Sequence, residues 1–198
     1  MKPSVITISR QYGSGGREIG ALLSEQLQIP FYDKALFTEA ALRSGIHESH
    51  FAEAEQHSHD QLFAHIFDGV TSSVSVPLND RVFLAQARTI TELAAQGPCV
   101  IVGRGANRIL SDRSDTLNVF IYADLESRIH RAVEAYGVEQ ARAAKVIREM
   151  DKDRASYLKT YTDQRFGDAE NYHLCIGSGA IGIKNAAAII RTLYQTLS

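Results

Sequence analysis

Cysteine is nearly absent from the chain. Its 198 residues hold two, Cys99 and Cys175, far apart and each inside an apolar run. Such a pair makes no disulfide framework, and neither belongs to a C-x-x-C or Cys/His ligand pattern. Both read as small core residues of a reducing compartment. Long hydrophobic runs are missing too, so nothing has the apolar length that spans a bilayer. The opening "MKPSVITISRQYG" turns polar too early for a secretory leader. A cytoplasmic protein with no membrane partner is the expectation. The formal net charge is only −2, which gives no reason to expect nucleic acid as a partner. There is no internal repeat or low-complexity tract. Hydrophobic residues at 44% and charged residues at 22% are ordinary for a globular chain. The length favours one domain over residues 1–198, large enough to need no disulfide or metal staple.

What is present is a regular alternation. Five short apolar segments, "VITIS" (5–9), "IPFY" (29–32), "CVIVG" (99–103), "LNVFIY" (117–122) and "YHLCIG" (172–177), read as buried parallel strands. Helical stripes separate them: Ile19, Leu22, Leu23 and Leu27; Phe83, Ala87, Ile90 and Ala94; Leu125, Ile129, Val133 and Tyr136; and Ile183, Ala187, Ile190, Tyr194 and Leu197. Strands alternating with helices predict an α/β three-layer sandwich on a five-stranded parallel sheet. Two segments break the rhythm. Residues 44–77 are polar and histidine-rich, and residues 138–165 are highly charged with a helical pattern.

The stretch "ISRQYGSGGREIG" (8–20) lacks a more specific residue. A strand, a glycine-rich turn and a helix make an anion site, because the first helical amides lack acceptors and stand at the positive end of the dipole. Gly13, Gly15 and Gly16 exceed what a plain turn requires, and let backbone approach phosphate closely. The candidate cradle is Gly13, Ser14, Gly15, Gly16, Arg17 and Glu18. It contains no lysine. A dinucleotide fingerprint is a weaker match: Gly13, Gly15 and Asp33 suit it, but Glu18 occupies its third glycine position.

Taken together, "ITISRQYGSGGREIG", "IPFYDKALF", "CVIVGRGANRIL", "NVFIYADLESRIHR", "DKDRASYLKTYT" and "NYHLCIGS" resemble, in order and over nearly the whole chain, the cytidylate kinase-like family of P-loop kinases. The resemblance implies a P-loop nucleoside triphosphate hydrolase-type fold with a helical lid and a helical insertion. It also implies ATP and Mg2+ as cofactors, and as ligands a nucleotide donor and a small phosphorylated acceptor. Ordinary nucleotide kinases write the loop G-x-x-x-x-G-K. Here Arg10 replaces the opening glycine, Gly16 stands where the lysine belongs and Arg17 follows it. The lysine's charge must then come from Arg17, from Arg10 or from a lid arginine, since arginine's fork of donors suits phosphate. The alternative for Arg17 is a surface ion pair with Glu18 or Glu25.

On the acceptor side the resemblance matches Asp33 to an aspartate that helps hold the acceptor, although Asp33 also suits a helix N-cap. Arg104 matches the arginine of a "GRD" turn that grips the acceptor, with Gly105 in place of the aspartate. Lys34 and Glu39 replace a serine and an arginine of cytidylate kinase, so cytosine selectivity is not carried over. The 138–165 segment matches a lid, in which Arg148, Asp151 and Arg154 share one helical face and Arg154 is the candidate catalytic arginine beside Arg17. Arg128 and Arg131 fall on the lid's leading helix, Arg131 as a donor-side contact. Ser178, after the last strand, is a candidate contact to the donor base. His47, His50, His57, His59 and His65 read as solvated residues of the insertion and assign no metal site. That insertion is an acceptor-side element or a pairing surface for a homo-oligomer.

Two functions follow. One is ATP-dependent phosphoryl transfer to a nucleoside monophosphate or related small phosphorylated acceptor. The other is a regulatory module that binds ATP through a lysine-less loop without transferring phosphate.

Overall fold

The computed structural model describes residues 4–33, 35 and 78–197. The histidine-rich segment at 44–77, with its expected helical insertion, lies outside the described residues. Strand β1 (Val5–Arg10) leads through the glycine loop into α1 (Gly16–Leu27) and β2 (Phe31–Tyr32). Helix α2 (Leu78–Ala95) precedes β3 (Cys99–Val102), the short α3 (Ala106–Ile109) and β4 (Thr116–Tyr122). Helices α4 (Leu125–Glu134) and α5 (Gln140–Thr162) follow in succession. A 3-10 turn at Ala169–Asn171, β5 (Leu174–Gly177) and α6 (Ser178–Thr196) complete the chain, with α6 interrupted at Gly182. The five strands form one parallel sheet in the order β2-β3-β1-β4-β5.

The predicted strands are all present; the first and fourth are each one residue longer than predicted, and the other three are trimmed. The trimming is physical: Gly103, counted with the third strand, has φ 88 and belongs to the turn that follows. The apolar runs lack polar alternation because both faces of the sheet are covered. Along β3, Val100 and Val102 pack with Ile6, Ile8, Ile19, Leu23 and Ile190 on one side of the sheet. Cys99 and Ile101 pack with Val5, Ile90, Ala94 and Leu110 on the other. This period of two divides the core into two layers around one sheet. Cys99 is buried and Cys175 half-buried, both as free thiols, and burial pushes the Cys99 thiol up to about 11. Among the described residues no helix is long and apolar enough to cross a membrane.

The order of strands decides where a ligand sits. β1 is central, and the chain leaves its carboxyl end toward α1, with β3 on one side and β4 on the other. The loops after β1 and β3 therefore open at one sheet edge, the position where open α/β sheets bind ligands.

Candidate active site

Helix α1 begins without a side-chain cap. Gly15 precedes it at φ 76 and ψ 13, and its first return bond is Ile19 N–H to Gly15 O at 2.9 Å. The amides of Gly13, Gly15, Gly16, Arg17 and Glu18 have no acceptor among the described residues. That of Ser14 makes a long bond of 3.3 Å to Gln11 O. Open amides at the positive end of a helix favour an anion. Gly13 is required twice over: its φ is 78, and a Cβ there would lie 2.7 Å from Arg128 O.

Ser14 faces inward, fully buried, its hydroxyl directed at Gln11 O (2.9 Å) and Ile121 O (3.1 Å). Ser178 braces the loop from below, donating to Ser14 O at 2.6 Å with Tyr122 O at 3.1 Å. Ser178 is 3% exposed, so its hydroxyl is committed to backbone beneath the loop.

Above the loop, both polar groups of Tyr12's backbone are clamped. Its N–H donates to Asp151 Oδ1 (2.7 Å) and its carbonyl accepts from Arg128 Nε (2.8 Å), while Arg128 Nη2 pairs with Asp151 Oδ2. Asp151 lies on α5 and Arg128, buried, on α4. The lid-like segment predicted at 138–165 is thus a helix, Gln140–Thr162, stitched to the phosphate loop in the middle of its length. Sequence reasoning placed Asp151 on a charged face but missed this clamp, because its partner is a backbone segment 139 residues away.

Three guanidinium groups converge beside the loop. Arg154 Nη1 donates to Arg10 O at 3.0 Å and its Cζ lies 5.5 Å from the Tyr12 ring centroid. Arg104 stands 5.5 Å from the centroid of Tyr157 on α5. It occupies the middle of three successive left-handed residues, Gly103 (φ 88), Arg104 (φ 56) and Gly105 (φ 66). A non-glycine residue held there costs about 1–2 kcal/mol, strain of the kind found at ligand-binding turns. Arg10 extends from β1 so that its guanidinium lies against Gly103. Burial first, then Arg154 and Arg104, push the Arg10 pKa down to about 9, while Asp33 opposes the shift. Arg10 is still a cation at neutral pH. Arg154 is also pushed down, chiefly by burial, with Asp151 opposing. Among the described residues the Arg10 guanidinium has no hydrogen-bond acceptor. Cations brought this close together favour an anion between them.

Several predicted ligands pair with one another. Arg17 Nε binds Asp33 Oδ2 at 2.7 Å, so its acid partner is neither Glu18 nor Glu25. Asp33 Oδ1 also accepts from Ala35 N at 3.1 Å. Glu18 binds Arg131 Nη1 at 2.6 Å and Tyr136 Oη at 3.1 Å, joining α1 to α4. Burial and the Glu18 carboxylate push the Tyr136 phenol up to about 12, so it stays a donor. Arg131 rises over Gly15, whose Cβ would come within 3.3 Å of its Nε. The buried Gln86 on α2, which sequence reasoning missed, accepts from Tyr157 Oη at 3.2 Å and leaves its Nε2 without a partner among the described residues. It sits one position from the apolar stripe, and that offset was the available signal. Among the described residues no three His, Cys, Asp or Glu side chains cluster to hold a metal ion.

The fold and the loop define a P-loop kinase-type domain. Solved structures with this fold include shikimate kinase from Bacteroides thetaiotaomicron, at TM-score 0.58 and 14% identity over 96% of this chain and 98% of that one. A gluconokinase from Sinorhizobium meliloti matches at TM-score 0.58 and 13% identity over 99% and 96%. At such identities the likeness is one of fold alone. A crystal structure of an uncharacterized protein from Eubacterium ventriosum is nearer, at TM-score 0.75 and 26% identity over 97% and 98%. A search of curated proteins finds no match. The model of the cytidylate kinase-like family matches residues 5–180, and the chain belongs to that family.

Proposed function

We propose that the chain is an ATP-dependent phosphotransferase acting on a nucleoside monophosphate or similar small phosphorylated acceptor, built as one kinase-like domain over 1–198. The observation that carries this reading is the meeting of the open loop amides with Arg10, Arg104 and Arg154. In it, the amides of Gly13 to Glu18 hold the donor phosphates, and Arg131 flanks the donor over Gly15. Arg104 and Asp33 place the acceptor, Arg17 orients Asp33, and Arg154 neutralises charge on the transferring group. Phosphoryl transfer asks for little beyond positioning and charge, which this set supplies. Ser178, bonded to Ser14 O, supports the loop's shape in place of a base contact.

The polyphosphate fits the residues present. A protein-held magnesium fits less well, since Arg17 replaces the hydroxyl that follows the usual lysine and Asp33 is already paired. Magnesium keeps several waters and binds readily through substrate phosphates, so it would arrive with the nucleotide. Helix α5, tied to Tyr12, serves as the lid, and the 44–77 segment remains an acceptor-side or subunit-pairing element.

The regulatory alternative, ATP binding without transfer, draws support from the missing lysine. Against it stands Arg104 in its left-handed turn, an acceptor clamp a sensor does not need. Incubation with ATP, magnesium and a panel of monophosphates, followed by measurement of ADP and the new diphosphate, separates the two. Acceptor-dependent ADP supports the kinase; ATP binding with no turnover on any acceptor supports the sensor.

A further inference from the structure

The usual phosphate loop opens on glycine and closes on lysine. This chain has Arg10 at the opening position and Gly16 at the closing one. The two residues touch. A Cβ built on Gly16 would lie 2.6 Å from Arg10 Cβ and 3.0 Å from Arg10 Cγ. Neither atom belongs to the free end of a flexible chain, because Arg10 Cβ is fixed by the backbone of β1. The backbone conformation of Gly16 does not call for glycine: unlike Gly13 and Gly15 it is not among the residues with positive φ. In this fold the stem of Arg10 excludes a side chain there.

We propose that Arg10 and Gly16 are a reciprocal exchange, in which the cation serving the donor phosphates has moved from the first helical residue to the end of β1. The stem of Arg10 fills the space that a lysine at position 16 would need, so the lysine is absent because Arg10 is present. Three further observations fit. The Arg10 head lies against Gly103, at the mouth between the loops after β1 and β3, where a Cβ on Gly103 would meet the guanidinium. Its carbonyl is held by Arg154 Nη1 at 3.0 Å, which fixes the residue. Arg17, the other candidate near the loop, is 68% exposed and bound to Asp33. The choice of ligand rests on the kinase reading above, whereas the steric half stands without it.

The test uses the full chain with two readouts, thermal unfolding and calorimetric binding of inorganic tripolyphosphate, an anion that carries no base or acceptor. Gly16→Ala is expected to lower Tm by about 3–10 °C, the usual result of overpacking. Placed in an Arg10→Gly background, the same change is expected to raise Tm, because alanine is the better helix residue once the stem is gone. Arg10→Met, which keeps the stem's bulk and removes the charge, is expected to bind tripolyphosphate at least about tenfold more weakly. The exchanged double variant Arg10→Gly/Gly16→Lys is expected to bind it within a few-fold of the wild type. If Gly16→Ala shifts Tm equally in both backgrounds, the steric exchange is wrong. If Arg10→Met binds like the wild type, or the wild type binds no tripolyphosphate, the charge assignment is wrong. A wild type that binds tripolyphosphate yet turns over no acceptor defeats the kinase reading and leaves the exchange standing.

Discussion

Arg17 Nε lies 2.7 Å from Asp33 Oδ2, joining the first turn of the loop helix to the end of β2. Two residues read separately from the sequence, one for the donor and one for the acceptor, therefore act as a pair. Arg17 is mostly exposed, and such ion pairs add only about 0–1 kcal/mol to stability.

Loss of this pair is expected to affect the acceptor and not the fold. Arg17→Met should leave Tm within about 3 °C of the wild type and raise the acceptor KM several-fold. Asp33→Asn should do the same. The double variant should be no worse than the poorer single one, since both changes remove one shared element. Steady-state KM values for ATP and acceptor, taken separately, check this.

The clamp on Tyr12 makes the opposite prediction. Asp151→Asn leaves the buried Arg128 without its carboxylate, and breaking such a pair costs about 3–5 kcal/mol. Urea unfolding should show a loss of at least about 2 kcal/mol, allowing for the partial exposure of Asp151. Nucleotide affinity should fall with it, because Tyr12 shapes the start of the cradle.

Gly13 is confined by conformation and by space. Gly13→Ala should cost about 2–4 kcal/mol, from the left-handed backbone together with the contact on Arg128 O. Gly137 has φ 68, close to that of Gly13, and a Cβ placed on it would meet nothing within 4 Å. Gly137→Ala is therefore the control for conformation alone and should cost less. Chemical denaturation of the two variants side by side decides the matter.

The guanidinium cluster should respond to anions by mass action. At about a hundredfold excess over its Kd, tripolyphosphate should stabilise the protein by about 2.7 kcal/mol, or roughly 5–11 °C in Tm. Chloride at equal ionic strength should not. Thermal scans in the two salts measure the difference.

The fold was legible because its signals are local. Buried parallel strands such as Val5–Arg10 and Cys99–Val102 are short apolar runs, and the stripe of Ile19 and Leu23 announces α1. The glycine loop was legible for the same reason. The site's wiring was not, since it depends on contacts between distant segments. Nothing in the sequence says that Asp151 accepts from Tyr12 N, that Glu18 takes Arg131, or that Ser178 turns inward onto Ser14 O. The contact between Arg10 and Gly16 spans only six positions, yet it too is invisible without the angle at which α1 leaves β1. Arg10 was one of three candidate cations in the sequence, and its position against Gly103 distinguishes it from Arg17.

The most direct measurement is a crystal structure of the chain with a non-hydrolysable ATP analogue and magnesium. The β- and γ-phosphates are expected on the amides of Gly13 to Glu18, with the Arg10 guanidinium within hydrogen-bond distance of a γ-oxygen and Arg154 close by. Phosphates bound elsewhere, or an Arg10 still turned to Gly103 with no phosphate oxygen in reach, would contradict it.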